Sequence, residues 1–396
     1  MKRPSYNDAP QVTPARGCAL FALGFRPFYL LASIFAALSV PLWALQYSGW
    51  LAHPYLAGPL WHAHEMLFGF VLPVIVGFLF TAGRNWSNQP TPTGWLLGLL
   101  VALWLAARVL VLTPLAVAAA LANVAFPLAA AIALAVPFVK ARNRRNYFFV
   151  ALLGLLCVAA AGIHLSQLGI TTLPAWLGVQ VALDVVLFIV CVMTGRVVPM
   201  FTNNSVPGAG ASRHAGVEKI ALGSILLLLA ADAAGLTGTL LSALAWAAAA
   251  VHLWRWLLWR PWKTARVPLV WVLHVAYAWI PVYLVLRGLA EWGLVAPALA
   301  THALTIGAIG GMIIGMMTRT ARGHTGRPLR ADAVETLCFV LVPAAAVVRV
   351  MVPMWAPAQS LHAILVSAAL WSAAFALYAV RYWPVLTRAR IDGRPG

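Results

Sequence analysis

Residues 60–82, LWHAHEMLFGFVLPVIVGFLFTA, decide the fold class of this chain. After its first two turns the stretch is almost wholly apolar, and it is long enough to cross a bilayer core of about 30 Å, which takes about 20 helical residues. The whole chain has the same character, with 63% hydrophobic and only 9% charged residues. Because soluble domains carry about 25% charged residues, this composition excludes a water-soluble enzyme, a secreted disulfide scaffold and a disordered chain.

The same length criterion predicts twelve membrane spans. Turn residues or basic clusters separate them, as in NQPTPTG, KARNRR and RPWKTARVP. We therefore predict an all-α, polytopic membrane bundle of about 12 transmembrane helices. It forms one integral membrane domain over residues 1–396, with short cytoplasmic tails at 1–20 and 385–396. The predicted spans are 24–46, 60–82, 94–113, 115–139, 147–169, 174–199, 217–235, 238–259, 267–290, 297–318, 332–352 and 359–383.

The basic residues predict the orientation of this bundle. The chain has 27 Lys and Arg residues against 9 Asp and Glu, a formal net charge of +18. With the N-terminus placed in the cytoplasm, only Arg108, Arg287 and Arg349 fall on the outer side, in agreement with the positive-inside rule. Charge distributed in this way orients helices in a lipid bilayer. We therefore expect cytoplasmic N- and C-termini and no binding of nucleic acid.

Spans two, six and ten end with similar sequences. Each runs from the outer to the inner side and ends with a threonine followed closely by an arginine. Four spans separate each of these endings from the next, which suggests three units of four helices. The alternative is that the endings recur by chance, because basic residues are required at inner ends in any case. The residues concerned are Thr81 and Arg84, Thr194 and Arg196, and Thr318 and Arg319.

Ionisable residues within spans are candidates for function because their burial in lipid is costly. The densest group is His62, His64 and Glu65, near the outer end of span two, and His302 begins span ten on the same side. Neutral imidazoles at one depth of a membrane are suitable ligands for haem iron or copper. We therefore predict a site for a redox metal with these three histidines as ligands. Glu65 would orient one ligand or relay protons.

Helical geometry limits this prediction. His62 and His64 are about 200° apart around an ideal helix, so they cannot bind one ion unless the first turn is unwound. The alternative interpretation of each histidine is a hydrogen-bonded residue of the core or of the membrane interface. His53, His164 and His362 are further histidines near the predicted outer surface.

Two other groups of polar residues lie within spans. His274 and Tyr277 are one turn apart in span nine, which indicates either a metal ligand with a proton donor or a hydrogen bond between the two side chains. Asp184 lies in the middle of span six, and Asp232 and Glu335 lie nearer to span ends. These carboxylates are candidates for a proton path, although the sequence does not show that they face one another.

The inner ends of the spans carry a second polar cluster. Most of its arginines need no explanation beyond orientation in the membrane. The paired asparagines and the Gly-His-Thr-Gly-Arg turn at 323–327 exceed that need. Such groups can bind an anion, for example a haem propionate or a phosphate. The candidates are Arg26, Arg84, Asn85, Arg196, Asn203, Asn204, Arg319, Arg322, His324 and Arg327.

Four motifs together resemble the NnrS family over essentially the whole chain. They are GFRPFYLLA at 24–32, WHAHEMLFGF at 61–70, GRVVPMFTNN at 195–204 and HALTIGAIGGMIIGMMTRTARGHTGRP at 302–328. That family comprises bacterial integral membrane proteins that contain haem and copper and are associated with denitrification and the response to nitric oxide.

The resemblance implies a haem- and copper-containing protein of the bacterial inner membrane that binds or handles nitric oxide and relieves nitrosative stress. It implies His62, His64 and His302 as metal ligands, and it leaves the electron donor and any catalysed reaction open. Arg196, His324 and Arg327 carry over as functional positions of unspecified role. The residues alone also allow a different class of protein. In that alternative the protein is a membrane carrier for copper, haem or a small metabolite, and its histidines form a transport site.

Overall fold

Twelve helical rods make up the computed structural model, which describes residues 18–47 and 55–393. Each rod corresponds to one predicted span. Most of the predicted N-terminal tail, the last three residues of the C-terminal tail and His53 lie outside the described residues. The helices are α1 Phe25–Tyr47, α2 Gly58–Ser87, α3 Gly94–Leu110, α4 Ala116–Lys140, α5 Tyr147–Gln167, α6 Ala175–Ser205, α7 Ala215–Ala233, α8 Thr239–Leu258, α9 Pro268–Ala290, α10 Pro297–His324, α11 Ala333–Trp355 and α12 Ser360–Thr387.

Ten segments of the described chain are long and apolar enough to cross a membrane. The other two rods are α3, which has only 17 residues, and α7, which carries Glu218, Lys219 and Asp232 within 19 residues. The prediction of an all-helical, multi-pass bundle is therefore confirmed. The predicted count of twelve spans is supported at ten positions.

Burial divides the helices into central and peripheral ones. In the most apolar stretches of α2 and α6, 83% of the residues are buried inside the bundle, and in those of α9 and α10 the value is 72%. The remaining membrane-length helices range from 33% to 56%, so they present a wide face to lipid. The four central helices carry most of the polar residues that the sequence singled out, including His62, His64, Asp184, His274 and His302.

The two ends of the described chain meet at one end of the bundle. The backbone N–H of Ala19 donates to the carbonyl of Thr387 at 2.7 Å, and Nη1 of Arg26 donates to the carbonyl of Arg388 at 2.8 Å. The backbone N–H of Ile391 donates to the carbonyl of Thr325, in the loop after α10. We call this the inner end and the opposite one the outer end. The side of the membrane that each end occupies, and the threefold repeat, stay predictions.

Helices α9 and α10 approach closely along a stripe of small residues. A methyl group added at Gly311 would lie 2.9 Å from Cβ of Ala276. One added at Gly307 would collide with the indole ring of Trp279. Small residues at helix interfaces are what permits such close approach in membranes. Ala303, Gly307, Gly311 and Gly315 follow one another at intervals of four residues, and this stripe fixes α10 against the centre of the bundle.

Two central helices widen into π-helical turns directly after a histidine. In α2 the π segment is Glu65–Val71, following His64, and in α10 it is Ala303–Gly310, following His302. Wide turns of this kind occur frequently at functional sites. Both lie towards the outer end, where the predicted metal ligands begin.

Candidate functional site

The first pair of histidines joins α2 to α10. The rings of His62 and His302 are nearly parallel, with an interplanar angle of 15° and centroids 6.5 Å apart. The ring of Trp43 lies 5.3 Å from that of His62, and the positive charge of Arg349 acts on both imidazoles. The structure therefore brings together the two sequence segments that were predicted to share a metal.

The second pair joins α2 to α5. The rings of His64 and His164 have centroids 5.0 Å apart and an interplanar angle of 74°. His64 is 0% and His164 is 1% exposed, and the ring of Phe68 lies 4.9 Å from that of His64. His62 and His64 thus point at different partners, as the 200° separation predicted. The histidines of span two therefore belong to two different pairs of imidazoles.

Hydrogen bonds fix which nitrogen carries the proton in two of these rings. Nδ1 of His64 lies 2.8 Å from Oε1 of Glu65, and Nδ1 of His302 lies 2.6 Å from the carbonyl oxygen of Ala298. An ionised carboxylate and a carbonyl can only accept. Each Nδ1 therefore donates, and Nε2 of each ring keeps its lone pair.

Tyr55 fixes the proton on His164 in the same way. Its hydroxyl lies 3.2 Å from Nδ1 of His164 and 3.4 Å from the carbonyl oxygen of the same residue. Because the carbonyl can only accept, both contacts are hydrogen bonds when the hydroxyl donates to the carbonyl and Nδ1–H donates to the hydroxyl. Burial raises the pKa of Tyr55 to about 12, so the phenol keeps its proton. In this arrangement Nε2 of His164 has a free lone pair.

The free nitrogens fit a metal. Within residues 18–47 and 55–393, the Nε2 atoms of His64 and His164 are buried and have no hydrogen-bond partner. Histidines that bind metals usually donate the other ring N–H to a carboxylate or carbonyl, which is the arrangement of His64 and His302. A metal–nitrogen bond of about 2 Å separates the centroids of two imidazoles on one ion by about 5–6.5 Å. Both pairs lie in this range.

Each pair of histidines offers a metal only two protein ligands. No group of three or more His, Cys, Asp or Glu side chains suited to a metal occurs among the described residues. Each pair therefore offers two imidazoles, which suits an ion that accepts two protein ligands or one that brings further ligands of its own, as haem iron does.

Arg108 and Asn123 lie next to the carboxylate that orients His64 of the second pair. The guanidinium of Arg108 on α3 donates to Oε1 of Glu65 and to Oδ1 of Asn123, and all three side chains are buried. This contact neutralises the carboxylate that orients His64. The predicted role of Glu65 as an orienting residue thus has a geometric basis.

Sequence reasoning named His164 only as a histidine near the outer surface and did not predict its pairing with His64. It also did not predict Arg108, Tyr55 and Arg349 as neighbours of the histidines. The sequence did contain an indication of two of these neighbours, Arg108 and Arg349. Arg108 and Arg349 are two of the three arginines that depart from the positive-inside distribution, and each lies beside a pair of imidazoles. Where a basic residue is not needed for orientation, it is a candidate for function.

Arg287, the third such arginine, lies between two carboxylates. It forms ion pairs with Asp232 and, at 3.7 Å, with Asp184. Nε2 of Gln180 donates to both carboxylates, at 3.2 and 3.5 Å. Asp184 and Asp232 therefore do meet, whereas Glu335 pairs with Arg322 at the inner end. The three acids predicted as a possible path do not form one group.

His274 lies apart from the four outer histidines, near the inner end of α9. Its Nε2 contacts Oγ1 of Thr202 at 2.9 Å. The predicted hydrogen bond between His274 and Tyr277 is wrong. Tyr277 faces α8, where its hydroxyl contacts Nδ1 of His252 at 2.7 Å and accepts from Arg255 at 3.1 Å. A buried guanidinium and imidazole offer that hydroxyl stronger partners than a ring one turn away on its own helix.

The predicted inner cluster divides into separate local contacts. Arg196 donates to Asn146 at 3.0 Å, and Asn203 exchanges two hydrogen bonds with the backbone of Ala211. The guanidinium of Arg319 lies 3.7 Å from the ring centroid of Phe201. Arg84 and Asn204 are exposed. Arg196, Asn203 and Arg319 therefore have structural partners of their own.

His324 and Arg327 lie in the part of the inner end where positive charge is in excess. The carbonyl of His324 accepts from Arg390 at 2.9 Å, and the charges of Arg327 and Arg390 act on Arg26. Burial, together with the guanidinium of Arg322, lowers the pKa of Arg327. This concentration of guanidinium groups is compatible with an anion, and an anion site here stays a prediction.

Comparison with known proteins agrees with the motifs. No curated protein matches the chain. A family model described as NnrS protein matches residues 19–390. The match covers nearly the whole chain and includes all four histidines of the two outer pairs. The resemblance seen in the sequence is confirmed, and the chain belongs to the NnrS family.

Proposed function

We propose that this protein binds haem and copper at the outer end of the bundle and uses them to bind or handle nitric oxide. In the bacterial inner membrane it would thereby relieve nitrosative stress, in association with denitrification. The observation that carries the proposal is the hydrogen bonding of the histidine rings, which leaves ring nitrogens free to bind a metal. Nδ1 of His64 and Nδ1 of His302 each donate to an oxygen acceptor, and the Nε2 atoms of His64 and His164 are buried without a hydrogen-bond partner among the described residues.

The two pairs differ in a way that suggests which group each would hold. His62 and His302, which join α2 to α10 with ring centroids 6.5 Å apart, would hold haem iron. His64 and His164, which join α2 to α5 with ring centroids 5.0 Å apart, would hold copper. Haem iron would supply a site with affinity for nitric oxide, and copper would supply a second redox centre nearby.

The surrounding residues prepare these sites. Glu65 and Tyr55 hold their histidines in the tautomer that leaves Nε2 free. The ring of Phe68 lies against His64, and the second pair is shielded from water because His64 and His164 are buried. The ring of Trp43 lies against His62, and the first pair is partly exposed. Nitric oxide is small and lipid-soluble, and it can therefore reach a buried site from the membrane without a polar channel.

The visible spectrum of the detergent-purified protein tests the haem assignment. We expect a Soret band in the wild type and its loss in both His62→Ala and His302→Ala. His362→Ala is the matched control, because His362 also lies at the outer end but is exposed. That variant should keep the full band. Unchanged haem content in the double variant His62→Ala/His302→Ala would overturn the assignment.

Addition of nitric oxide tests the ligand. A shift of the Soret band at a stoichiometry of about one per haem supports binding, and consumption of nitric oxide over time would show a reaction. A colourless, metal-free protein from haem- and copper-replete cells would contradict the proposal and favour the carrier.

A further inference from the structure

A cleft on the surface of the bundle, near its inner end, has no part in the two histidine pairs. It lies between the end of α8, the loop that follows and the first turns of α9, and its volume is about 490 Å³. Aromatic side chains form its walls: Trp256, Trp262 and Trp271, with Pro261 and Val275. Sites for small ligands have this size and this apolar character.

One residue that lines the cleft has a polar atom without a partner. It is His274, which is only 2% exposed. Among the described residues, its Nδ1 has no hydrogen-bond partner. A buried acceptor or donor left unpaired costs about 1–3 kcal/mol, so a ligand that satisfied this nitrogen would recover that cost.

The other nitrogen of the ring decides what Nδ1 can do. Oγ1 of Thr202 lies 2.9 Å from Nε2 of His274 and 2.9 Å from the carbonyl oxygen of Val198. The hydroxyl has one proton, and the carbonyl can only accept it. Both contacts are hydrogen bonds when the hydroxyl donates to the carbonyl and Nε2–H donates to the hydroxyl. Nδ1 of His274 is therefore an acceptor.

An acceptor at this position selects among the ligands that a membrane offers. A phosphodiester or a quinone presents only acceptors, and neither would satisfy a neutral imidazole nitrogen. A hydroquinone presents O–H donors on a flat aromatic ring that fits between tryptophan side chains. Trp256 is held in place for this purpose, because its indole N–H donates to the carbonyl of His274 at 2.9 Å.

We propose that this cleft binds the ring of a lipid-soluble hydroquinone, with one hydroxyl group donating to Nδ1 of His274. The binding needs neither haem nor copper, so it stands apart from the proposed function of the outer pairs. The cleft opens at the periphery of the bundle beside Trp262, which is 56% exposed, and a hydroquinone would enter it from the lipid.

Equilibrium binding of three ring compounds to the full-length protein in detergent tests this proposal. The probes are a methylated hydroquinone with a short alkyl tail, its quinone and its dimethyl ether. We expect the hydroquinone to bind about tenfold more tightly than the other two, which lack the O–H donor. The His62→Ala variant should bind it as the wild type does, so that failure of the haem proposal would be recognised separately.

Two exposed tryptophans provide a matched comparison that does not disturb the core. Trp262 lines the cleft and is 56% exposed, whereas Trp254 on α8 is 55% exposed and does not line it. Trp262→Ala and His274→Phe should each weaken hydroquinone binding about tenfold, and Trp254→Ala should not change it. Equal affinity for the three compounds, no measurable hydroquinone binding, or equal effects of the two tryptophan variants would overturn the proposal.

Discussion

At the scale of single residues, Glu65 is the centre of the polar contacts at the outer end. It accepts from Nδ1 of His64 and from the guanidinium of Arg108, and its side chain is 1% exposed. A buried carboxylate and a buried guanidinium compensate each other. Removal of one leaves an uncompensated charge, whereas removal of both is tolerated much better.

We expect Glu65→Ala to destabilise the protein by about 3–5 kcal/mol, because Arg108 then remains buried without its carboxylate. The double variant Glu65→Ala/Arg108→Met should recover most of this loss. Unfolding of the wild type and both variants in one detergent measures the difference. A double variant as unstable as the single one would show that the pair is not what stabilises this region.

Two tyrosine hydroxyls in different environments test the assigned hydrogen bonds. The hydroxyl of Tyr277 contacts His252 and Arg255, so Tyr277→Phe should cost about 1–3 kcal/mol by leaving buried groups unpaired. The hydroxyl of Tyr378 is buried and has no partner among the described residues. Tyr378→Phe should therefore be neutral or slightly stabilising in the same unfolding measurement. Equal losses in both variants would contradict the assigned network.

The residues of the candidate site were predictable from the sequence only where they are neighbours along the chain. The segment His62–Glu65 is conspicuous because three ionisable groups lie within four positions of an apolar span. His164 is one histidine in a different span, and its pairing with His64 depends on how α5 packs against α2. No periodicity in the sequence contains that information. The sequence placed His164 near the outer surface, and the unexpected outer position of Arg108 was a second indication of this site.

At the scale of elements, the π-helical turns of α2 and α10 position the histidine pairs. Each π segment begins directly after a histidine. A π turn displaces the residues that follow it around the helix axis. The apolar pattern of the sequence predicted continuous helices, and it did not predict these wide turns, because a π turn changes the phase of a face without interrupting its hydrophobicity. The small-residue stripe of α10, by contrast, can be recognised in the sequence, because residues four apart lie on one face of a helix.

Gly307 lies within the π segment of α10 and faces Trp279. A methyl group there would collide with the indole, so Gly307→Ala should displace α10 from α9 and cost about 1–3 kcal/mol. Displacement of α10 also moves His302 away from His62, and we expect a weaker Soret band. Gly162→Ala on α5 is the control, because an added methyl group there meets open space. Similar spectra and stabilities for the two variants would contradict this account of α10.

At the scale of the whole molecule, an even number of helices brings the two chain ends together. Ala19 and Thr387 are hydrogen-bonded at the inner end, which agrees with the alternating topology derived from basic residues. The fold class was therefore predictable from hydropathy and charge. The order in which helices pack was not, because the lipid-facing and buried spans have similar apolar composition.

Sided labelling tests the orientation. Cys18 is exposed at the inner end, and Trp292, in the loop after α9, is 55% exposed at the outer end. A membrane-impermeant maleimide should label Cys18 only from the cytoplasmic side. In the variant Cys18→Ser/Trp292→Cys it should label only from the opposite side. Labelling of both positions from one side would contradict the topology.

The separation of two metal sites within one bundle is the central claim, and metal analysis of four single variants tests it most directly. Haem and copper are measured together in His62→Ala, His302→Ala, His64→Ala and His164→Ala. We predict a crossed pattern, in which the first two variants lose haem and keep copper while the last two lose copper and keep haem. Loss of the same metal in all four, or retention of both metals in all four, would contradict the account.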